Sequence, residues 1–249
     1  YAASTEEAFC AIHAQGTDVT WGAPTAGGNQ GPMAEALNRV ASVTGTSGSF
    51  AAITTEGAVV TWGNPYTGGD SKLVTAELQT GVTALSSTDG AFAALQCGGR
   101  VVSWGKPGCG SSHSIVSAEL ESEVASVTGN CGAFAAIKTG GRCITWGVNF
   151  GGGCSEAVKE ELTNGIMSVS GTYGAFAALK TQGSVVTWGD VAAGGDSSHV
   201  RGELSDSVIQ VAGTYGASCA LKAGGTIVTW GMRQCGAASK FAKKQLPIA

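Results

Sequence analysis

Cysteine and histidine are two residue types that can act as nucleophiles, bases or metal ligands. There are eight cysteines and three histidines, and no two cysteines have the Cys-x-x-Cys spacing of a zinc site. His13, His113 and His199 fall at different positions of the repeat described below, and the sequence places no carboxylate pair or nucleophile–base pair near them. The sequence therefore predicts neither an enzyme nor a cofactor, and no metal site.

A second group of polar residues lies in glycine-rich turns, where side-chain oxygens could hold calcium or a hydroxyl-rich ligand. Asn29, Asp70 and Asp196 occupy equivalent turn positions, but the other turns have no carboxylate there. A calcium site collects several oxygen ligands, so two carboxylates are too few. We expect these residues to shape their turns through local hydrogen bonds, and we keep them as candidates for a binding surface.

A basic run near the end of the sequence is the third candidate. Lys240, Lys243 and Lys244 stand where the corresponding segment of an earlier repeat carries glutamates. Such a run usually forms a solvated face, but it could also dock an acidic partner.

The tryptophans reveal the repeat that positions these residues. All six recur at steps of 41 or 42 residues, at Trp21, Trp62, Trp104, Trp146, Trp188 and Trp230. A fixed period of this size indicates a solenoid, a propeller or an array. We predict a single domain over residues 1–249, with repeats at approximately 1–39, 40–81, 82–123, 124–165, 166–207 and 208–249.

Each repeat has the pattern of short β-strands joined by tight turns. In the fifth repeat the apolar segment Ala175–Lys180 meets residues 184–188 across a Gln-Gly turn, which predicts a hairpin. Gly183 supplies the positive φ that this turn requires. The last element, residues 155–162, favours a short helix capped by Ser155, with a fourth outer strand as the alternative.

Composition supports a β-rich fold and argues against two kinds of partner. Only 13% of the residues are charged and 40 are glycine, which suits short strands and frequent turns. The net charge of −4 argues against a nucleic-acid partner, which would need a basic face. No apolar run approaches the length of a membrane span. The chain starts at Tyr1 without an initiator methionine, so we expect processing or trimming.

The two ends of the chain suggest that the repeats close into a ring. The last repeat ends almost at the position where the first begins, because both ends lie about half a period from their tryptophans. Short strands need neighbours to bury both faces, and closure also removes exposed sheet edges. We predict an all-β protein, a closed six-bladed β-propeller of about 42-residue repeats, with short helices between the blades.

The pattern resembles the repeats of the regulator-of-chromosome-condensation (RCC-type) family, which form β-propellers. The fifth repeat shows the family's order of Ala-Leu, a turn glycine at Gly183, a hydrophobic pair, Trp188-Gly189, and a further glycine at Gly194. The repeat here is a divergent, shorter form, and the family usually has seven blades. The Ran-exchange activity of the founding member depends on its own surface and insertions, which nothing here matches. The resemblance therefore implies the fold and not that activity.

Five of the cysteines could form disulfides in and between the third and fourth blades. Cys109–Cys131 would join these blades, whereas Cys131–Cys154 would close the fourth blade instead. Cys97–Cys143 could pair across the same two blades. Both alternatives for Cys131 remain open on the sequence.

A further pairing, Cys10–Cys219, would clasp the two ends of a closed ring. Equivalent positions on packed sheets are about 10 Å apart, which is too far for a disulfide, so both could instead be buried thiols. The even number of cysteines predicts a location outside the cytosol, either secreted or in an organelle lumen.

These expectations favour a binding role. A closed ring offers a rigid frame and two broad loop faces, while the repeats share no chemistry. We predict a non-enzymatic module that binds a protein partner or acts as a scaffold, for instance as an accessory subunit of a larger assembly. The alternative is a multivalent carbohydrate-binding propeller, which would need exposed aromatic or arginine side chains repeated between blades.

Overall fold

The computed structural model describes residues 2–13, 18–37 and 39–237. Within them the chain forms six three-stranded antiparallel sheets, and consecutive strands pair within each sheet. The first strands are β1 (Ala2–Ser4), β4 (Val40–Gly45), β7 (Val82–Ser87), β10 (Val124–Gly129), β13 (Ile166–Gly171) and β16 (Val208–Gly213). The second strands are β2 (Ala8–Ile12), β5 (Ser49–Thr54), β8 (Ala91–Gln96), β11 (Ala133–Lys138), β14 (Ala175–Lys180) and β17 (Ala217–Lys222). The third strands are β3 (Asp18–Gly22), β6 (Val59–Gly63), β9 (Val101–Gly105), β12 (Cys143–Gly147), β15 (Val185–Gly189) and β18 (Ile227–Gly231).

Two compact units divide the chain, Tyr1–Gly132 and Ala133–Ala249. Within the first unit, β4 packs against β1 and β2, and β7 packs against β4 and β5. Within the second unit, β16 packs against β13 and β14 in the same way. Each unit therefore stacks its sheets face to face, and we call each sheet a blade. The prediction of one domain over 1–249 stays a prediction.

The core of each unit lies between consecutive blades. Alanines fill the middle strand, and their small side chains let neighbouring sheets approach closely. In one such layer Ala51 and Ile53 of β5 pack against Phe92, Ala94 and Trp104 of the next blade. A sheet buried on both faces explains why the second strands read as continuous apolar runs instead of alternating ones.

The recurring tryptophan ties four of the blades to the one before them. Trp104 pairs across the sheet with Phe92, and the two rings stack with centroids 5.3 Å apart. Its indole N–H donates to the carbonyl of Gly68 in the preceding repeat at 3.0 Å. Equivalent 3.0 Å bonds join Trp62 to Gly27, Trp188 to Gly152 and Trp230 to Gly194. The expected packing of tryptophan in cores is thus confirmed for these residues.

Trp21 in the first blade differs from the other tryptophans. It stacks on Phe9 with the usual geometry, at 5.4 Å and 22°. Both residues are nevertheless about half exposed, Trp21 at 49% and Phe9 at 51%. The first blade therefore carries the aromatic pair without the cover that the pair has in later blades.

The last element of the repeat is helical, as favoured, but much shorter than predicted. The loops after the third strands contain 3₁₀-helices of three or four residues: Pro24–Ala26, Gly31–Met33, Pro65–Thr67, Lys72–Val74, Pro107–Cys109, Ser117–Leu120, Glu156–Val158, Val191–Ala193, Ser198–Val200 and Arg233–Cys235. Ser155 is the N-cap residue of the helix Glu156–Val158, as predicted, but its side chain makes no capping bond. Its hydroxyl instead accepts a hydrogen bond from Thr145 of β12 at 2.9 Å, which ties the loop to the sheet.

None of the eight cysteines, all of which lie in the described residues, forms a disulfide. The predicted pairs Cys109–Cys131, Cys131–Cys154, Cys97–Cys143 and Cys10–Cys219 are therefore absent from this structure. For one pair the physical reason is clear: Cys143 is buried in β12, whereas Cys97 is exposed in a hairpin turn. The location outside the cytosol, which depended on these pairs, stays a prediction.

Thiol reactivity should follow this burial pattern. Burial raises the pKa of the Cys143 thiol to about 12, so its reactive thiolate is scarce at neutral pH. With a colorimetric disulfide reagent on the folded protein, we expect exposed Cys97 and Cys154 to react quickly, and buried Cys10 and Cys143 to react only on unfolding. After denaturation all eight thiols should titrate. Fewer than eight would contradict the structure and restore the predicted disulfides.

Candidate interaction site on the turns between first and second strands

The turns between the first and second strands are linked from blade to blade through their backbones. At one repeat position the N–H of four residues donates to the carbonyl of the counterpart in the next blade. These bonds join Glu6 to Ser47 at 3.0 Å, Ser47 to Asp89 at 2.9 Å, and Asp89 to Cys131 at 3.0 Å. In the second unit Tyr173 donates to Tyr215 at 2.8 Å. Backbone bonds of this kind hold each side chain at a fixed place beside its neighbour.

A threonine fixes most of these turns from inside, whereas the turn that carries Cys131 has Asn130 at that position. Thr172 accepts a hydrogen bond from the N–H of Ala175 at 3.0 Å and donates to the carbonyl of Ala193 at 2.8 Å. Thr88 makes the same two bonds, to Ala91 and Cys109. Because Thr88 and Thr172 are buried and make both bonds, the residue after each of them is held in place. Thr214, before Tyr215, makes the same two bonds, to Ala217 and Cys235, but is exposed.

The second unit uses this position to display an aromatic cluster, which we define as Phe150, Tyr173 and Tyr215. The two tyrosines stack with centroids 4.6 Å apart and planes inclined by 22°. Phe150 meets Tyr173 edge-on at 6.5 Å. The three residues are 53%, 39% and 63% exposed, respectively. Pre-stacked, exposed aromatic side chains are typical of the anchor points of interfaces.

One carboxylate and one aliphatic side chain border the cluster. A methyl group placed on Gly174 would come within 3.1 Å of Asp190 Cβ and 3.4 Å of Phe150 Cζ, so both side chains flank the turn that carries Tyr173. Asp190 accepts a hydrogen bond from the N–H of Ala192 at 2.9 Å, and Val191 beside it is exposed. The surroundings therefore combine apolar area with a single negative charge.

The first three repeats fill the same position with polar groups. Glu6, Ser47 and Asp89 stand where the second unit has tyrosines. Burial is the main cause that raises the pKa of the Asp89 carboxyl, and repulsion from Glu6 raises it further. The two carboxyls are therefore close enough to influence each other, but no third ligand accompanies them in the described part of the chain.

Ser103 and His113 form a contact that resembles a nucleophile–base pair, at 2.6 Å between Oγ and Nδ1. The Ser103 hydroxyl also contacts the carbonyl of Ser111, to which it donates at 2.8 Å. Other blades make the same contact with hydroxyls: Thr61 with Ser71, and Thr187 with Ser197. His113 therefore replaces a structural serine, and Ser103 is buried. The contact braces the loop, as the hydroxyl pairs do in the other blades.

The histidine at position 113, where other blades have serine, predicts a pH dependence of stability. Burial lowers the pKa of His113, Arg100 adds to this, and Glu121 opposes it. The unfolded chain therefore takes up a proton at a higher pH than the folded chain, so stability is fully present above about pH 6.5 and falls as the pH drops below it. We expect His113→Ser, which restores the hydroxyl pair of other blades, to remove this loss. Urea midpoints of both proteins between pH 5 and 8 would show it, and parallel curves would contradict it.

The predicted binding residues in the glycine-rich turns serve their own turns. Asn29 accepts from the N–H of Gly31 at 2.9 Å, Asp70 from Lys72 at 3.0 Å, and Asp196 from Ser198 at 2.8 Å. These backbone bonds are the first cause of the lowered pKa of Asp70 and of Asp196. A role for them in binding stays a prediction. Lys240, Lys243 and Lys244 lie outside the described residues.

Sequence reasoning missed the aromatic cluster. Tyr173 and Tyr215 are 42 residues apart, and only the stacking of two blades brings their rings together. The available signal was that two consecutive repeats place tyrosine where the first three place Glu6, Ser47 and Asp89.

Within the described residues no helix is long and apolar enough to cross a membrane.

Comparison with known proteins identifies the blade architecture. No protein-family profile and no curated protein sequence matches the chain. Among solved structures, the ectodomain of the receptor kinase CR4 from Physcomitrella patens matches with a TM-score of 0.54 and 17% identity, over 92% of this chain and 63% of that one. Yeast RCC1 (Prp20), solved bound to Kap60, matches with a TM-score of 0.59 and 13% identity, over 98% of this chain and 72% of that one.

Human WBSCR16 is a third similar structure, with a TM-score of 0.59 and 16% identity over 92% of this chain and 75% of that one. This chain spans less than two thirds of the CR4 ectodomain. At these identities the likeness concerns the fold. The chain thus resembles the RCC1-type β-propellers in the architecture of its blades, as its tryptophan and glycine pattern predicted.

Proposed function

We propose that this chain is a non-enzymatic protein-binding module, acting as a scaffold or accessory subunit of a larger assembly. The observation that carries the proposal is the exposed aromatic cluster of Phe150, Tyr173 and Tyr215 on turns held by backbone bonds. Tyrosine offers a large contact area with little loss of side-chain freedom, and here stacking has already restricted it. Yeast RCC1, which is similar in fold, was solved bound to a protein, Kap60.

We also propose that the six blades close into a ring, with the last repeat covering the first. The support is the half-exposed Phe9–Trp21 pair, whose counterparts in later blades are covered by a glycine of the preceding repeat. Closure would bury apolar area and leave a rigid frame for the turns.

Affinity capture from the native source, followed by mass spectrometry, tests the binding proposal. The test variant is Tyr173→Ser with Tyr215→Ser, because Ser47 occupies the same position in the second blade and shows that serine fits the turn. The control is Leu73→Ser with Ile115→Ser, which removes two fully exposed aliphatic side chains of the first unit. We expect the same proteins to be retained by the wild type and the control, and lost from the tyrosine variant. Equal retention by all three proteins would contradict the proposal.

Carbohydrate binding is the second candidate function, and one observation favours it. Tyr173 and Tyr215 are exposed aromatic residues at equivalent positions of consecutive blades, which is the repetition that a multivalent site requires. Five of the six tryptophans do not provide such a platform, because their side chains are buried: Trp62, Trp104, Trp146, Trp188 and Trp230. A glycan array probed with the wild type and with the double tyrosine variant distinguishes the two functions.

A further inference from the structure

We propose that the aromatic cluster and Asp190 together receive a cationic side chain, arginine or lysine, presented by the protein partner. The inference rests on the proposed protein-binding function and specifies the chemistry that its site recognises. It is carried by the arrangement of the three aromatic rings, by the adjacent carboxylate, and by the rigidity of the turns.

The aromatic rings supply the first half of a cation site. Tyr215 stacks on Tyr173 through one face and is 63% exposed, so most of its ring is open to solvent. Phe150 stands edge-on to Tyr173, which sets two ring planes at 69° to each other. The face of an aromatic ring is electronegative, so a guanidinium or ammonium group gains energy when it lies over it.

Asp190 supplies the second half. Its Cβ and the ring of Phe150 flank the same glycine, Gly174, so the residue that carries the charge borders the cluster. The N–H of Ala192 donates to Oδ1 of Asp190 and holds the side chain against its own loop. This bond fixes the carboxylate without neutralising its charge. A fixed carboxylate beside aromatic faces is complementary to a cationic group and not to an anionic one.

Arg233 contributes a positive charge to the corresponding loop of the next blade. In that loop Met232 approaches Gly216 beside Tyr215. We therefore expect Asp190 to attract a partner cation and Arg233 to repel it. Neutralising Asp190 should weaken the binding of a cation, and neutralising Arg233 should strengthen it. The two variants together therefore report the sign of the ligand's charge.

The repeat itself offers neutralising variants that keep the fold. Asn64 occupies the position of Asp190 in the second blade and accepts the same backbone bond, from Tyr66 at 3.0 Å. Asp190→Asn therefore removes the charge while the turn keeps its hydrogen bond. Tyr215→Ser places in the sixth blade the residue that Ser47 provides in the second.

The probe is the peptide acetyl-Gly-Ser-Arg-Ser-Gly-amide, compared with the same peptide carrying neutral citrulline in place of arginine. Tyrosine-labelled protein reports binding through NMR shifts of its ring signals. The shifts are expected at Tyr173 and Tyr215, with Tyr66 of the first unit as the internal control. We expect arginine to bind in the millimolar range and roughly tenfold more tightly than citrulline.

The variants decide the outcome. For the arginine peptide, Asp190→Asn and Tyr215→Ser should each weaken binding about two- to fivefold, and Arg233→Gln should strengthen it. Equal binding of both peptides, or binding of neither, would overturn the inference. Maltotetraose or chitotetraose binding that is lost in Tyr215→Ser and unchanged in Asp190→Asn would also overturn it, in favour of a sugar site. If partner capture depends on the tyrosines while the peptide results fail, the binding function stands and only the cation preference falls.

Discussion

Alanine in place of Trp104 is expected to destabilise the protein by about 3–5 kcal/mol. Trp104 is 5% exposed, stacks on Phe92, and donates its indole N–H to the carbonyl of Gly68. The substitution opens a cavity between two blades and leaves that carbonyl without its donor. Urea unfolding followed by circular dichroism would measure the loss.

Two control variants separate the contributions at Trp104. Trp104→Phe keeps most of the apolar ring and removes the hydrogen bond, so it should cost less, about 1–3 kcal/mol. Leu73→Ala removes a side chain that is 98% exposed and should change stability by less than about 0.5 kcal/mol. A Trp104→Ala loss no larger than that of Leu73→Ala would show that the tryptophan does not join the blades.

Gly105→Ala is expected to cost about 3 kcal/mol or more, through both strain and collision. Gly105 has φ = +114°, a conformation that side chains rarely adopt. An added Cβ would lie 2.5 Å from the carbonyl oxygen of Gly90 and 2.9 Å from Cα of Ala91, which are backbone atoms that cannot turn aside. The glycine after each tryptophan is therefore required by the close approach of two segments.

Gly108→Ala is the matched control, three residues further along the same loop. A Cβ there meets nothing within 4 Å, and the equivalent positions carry Tyr66 and Phe150 in other repeats. We expect its free energy of unfolding to stay within about 0.5 kcal/mol of the wild type. Equal losses for the two glycine variants in the same urea experiment would refute the steric explanation.

The period of the sequence was sufficient to predict the blades. The tryptophans and turn glycines recur at fixed positions and favour the same hairpin, in which Phe50 and Trp62 lie opposite each other across their sheet. The predicted all-β fold and the predicted number of sheets are confirmed. The last element was harder to predict, because the helical pattern of residues 155–162 competes with loop bonds such as Thr145 to Ser155. Local propensity decides little when a side chain is recruited by the sheet.

The site was harder to predict than the fold for a different reason. Tyr173 and Tyr215 meet through blade stacking, and Asp190 approaches Phe150 only because both loops pack on Gly174. Such contacts depend on the three-dimensional offset between repeats, which the period alone does not give. The predicted disulfides failed similarly, because similar repeat positions say little about the distance between two sulfur atoms.

The stability cost of Trp21→Ala, compared with that of Trp62→Ala, tests most directly the claim that the blades close into a rigid ring. Trp62 is covered by Gly27 of the preceding repeat, whereas Trp21 has 49% of its surface exposed in the described structure. If the last repeat covers the first, the two substitutions should cost the same, about 3–5 kcal/mol in urea unfolding. A loss below about 1 kcal/mol for Trp21→Ala, with the full loss for Trp62→Ala, would contradict closure.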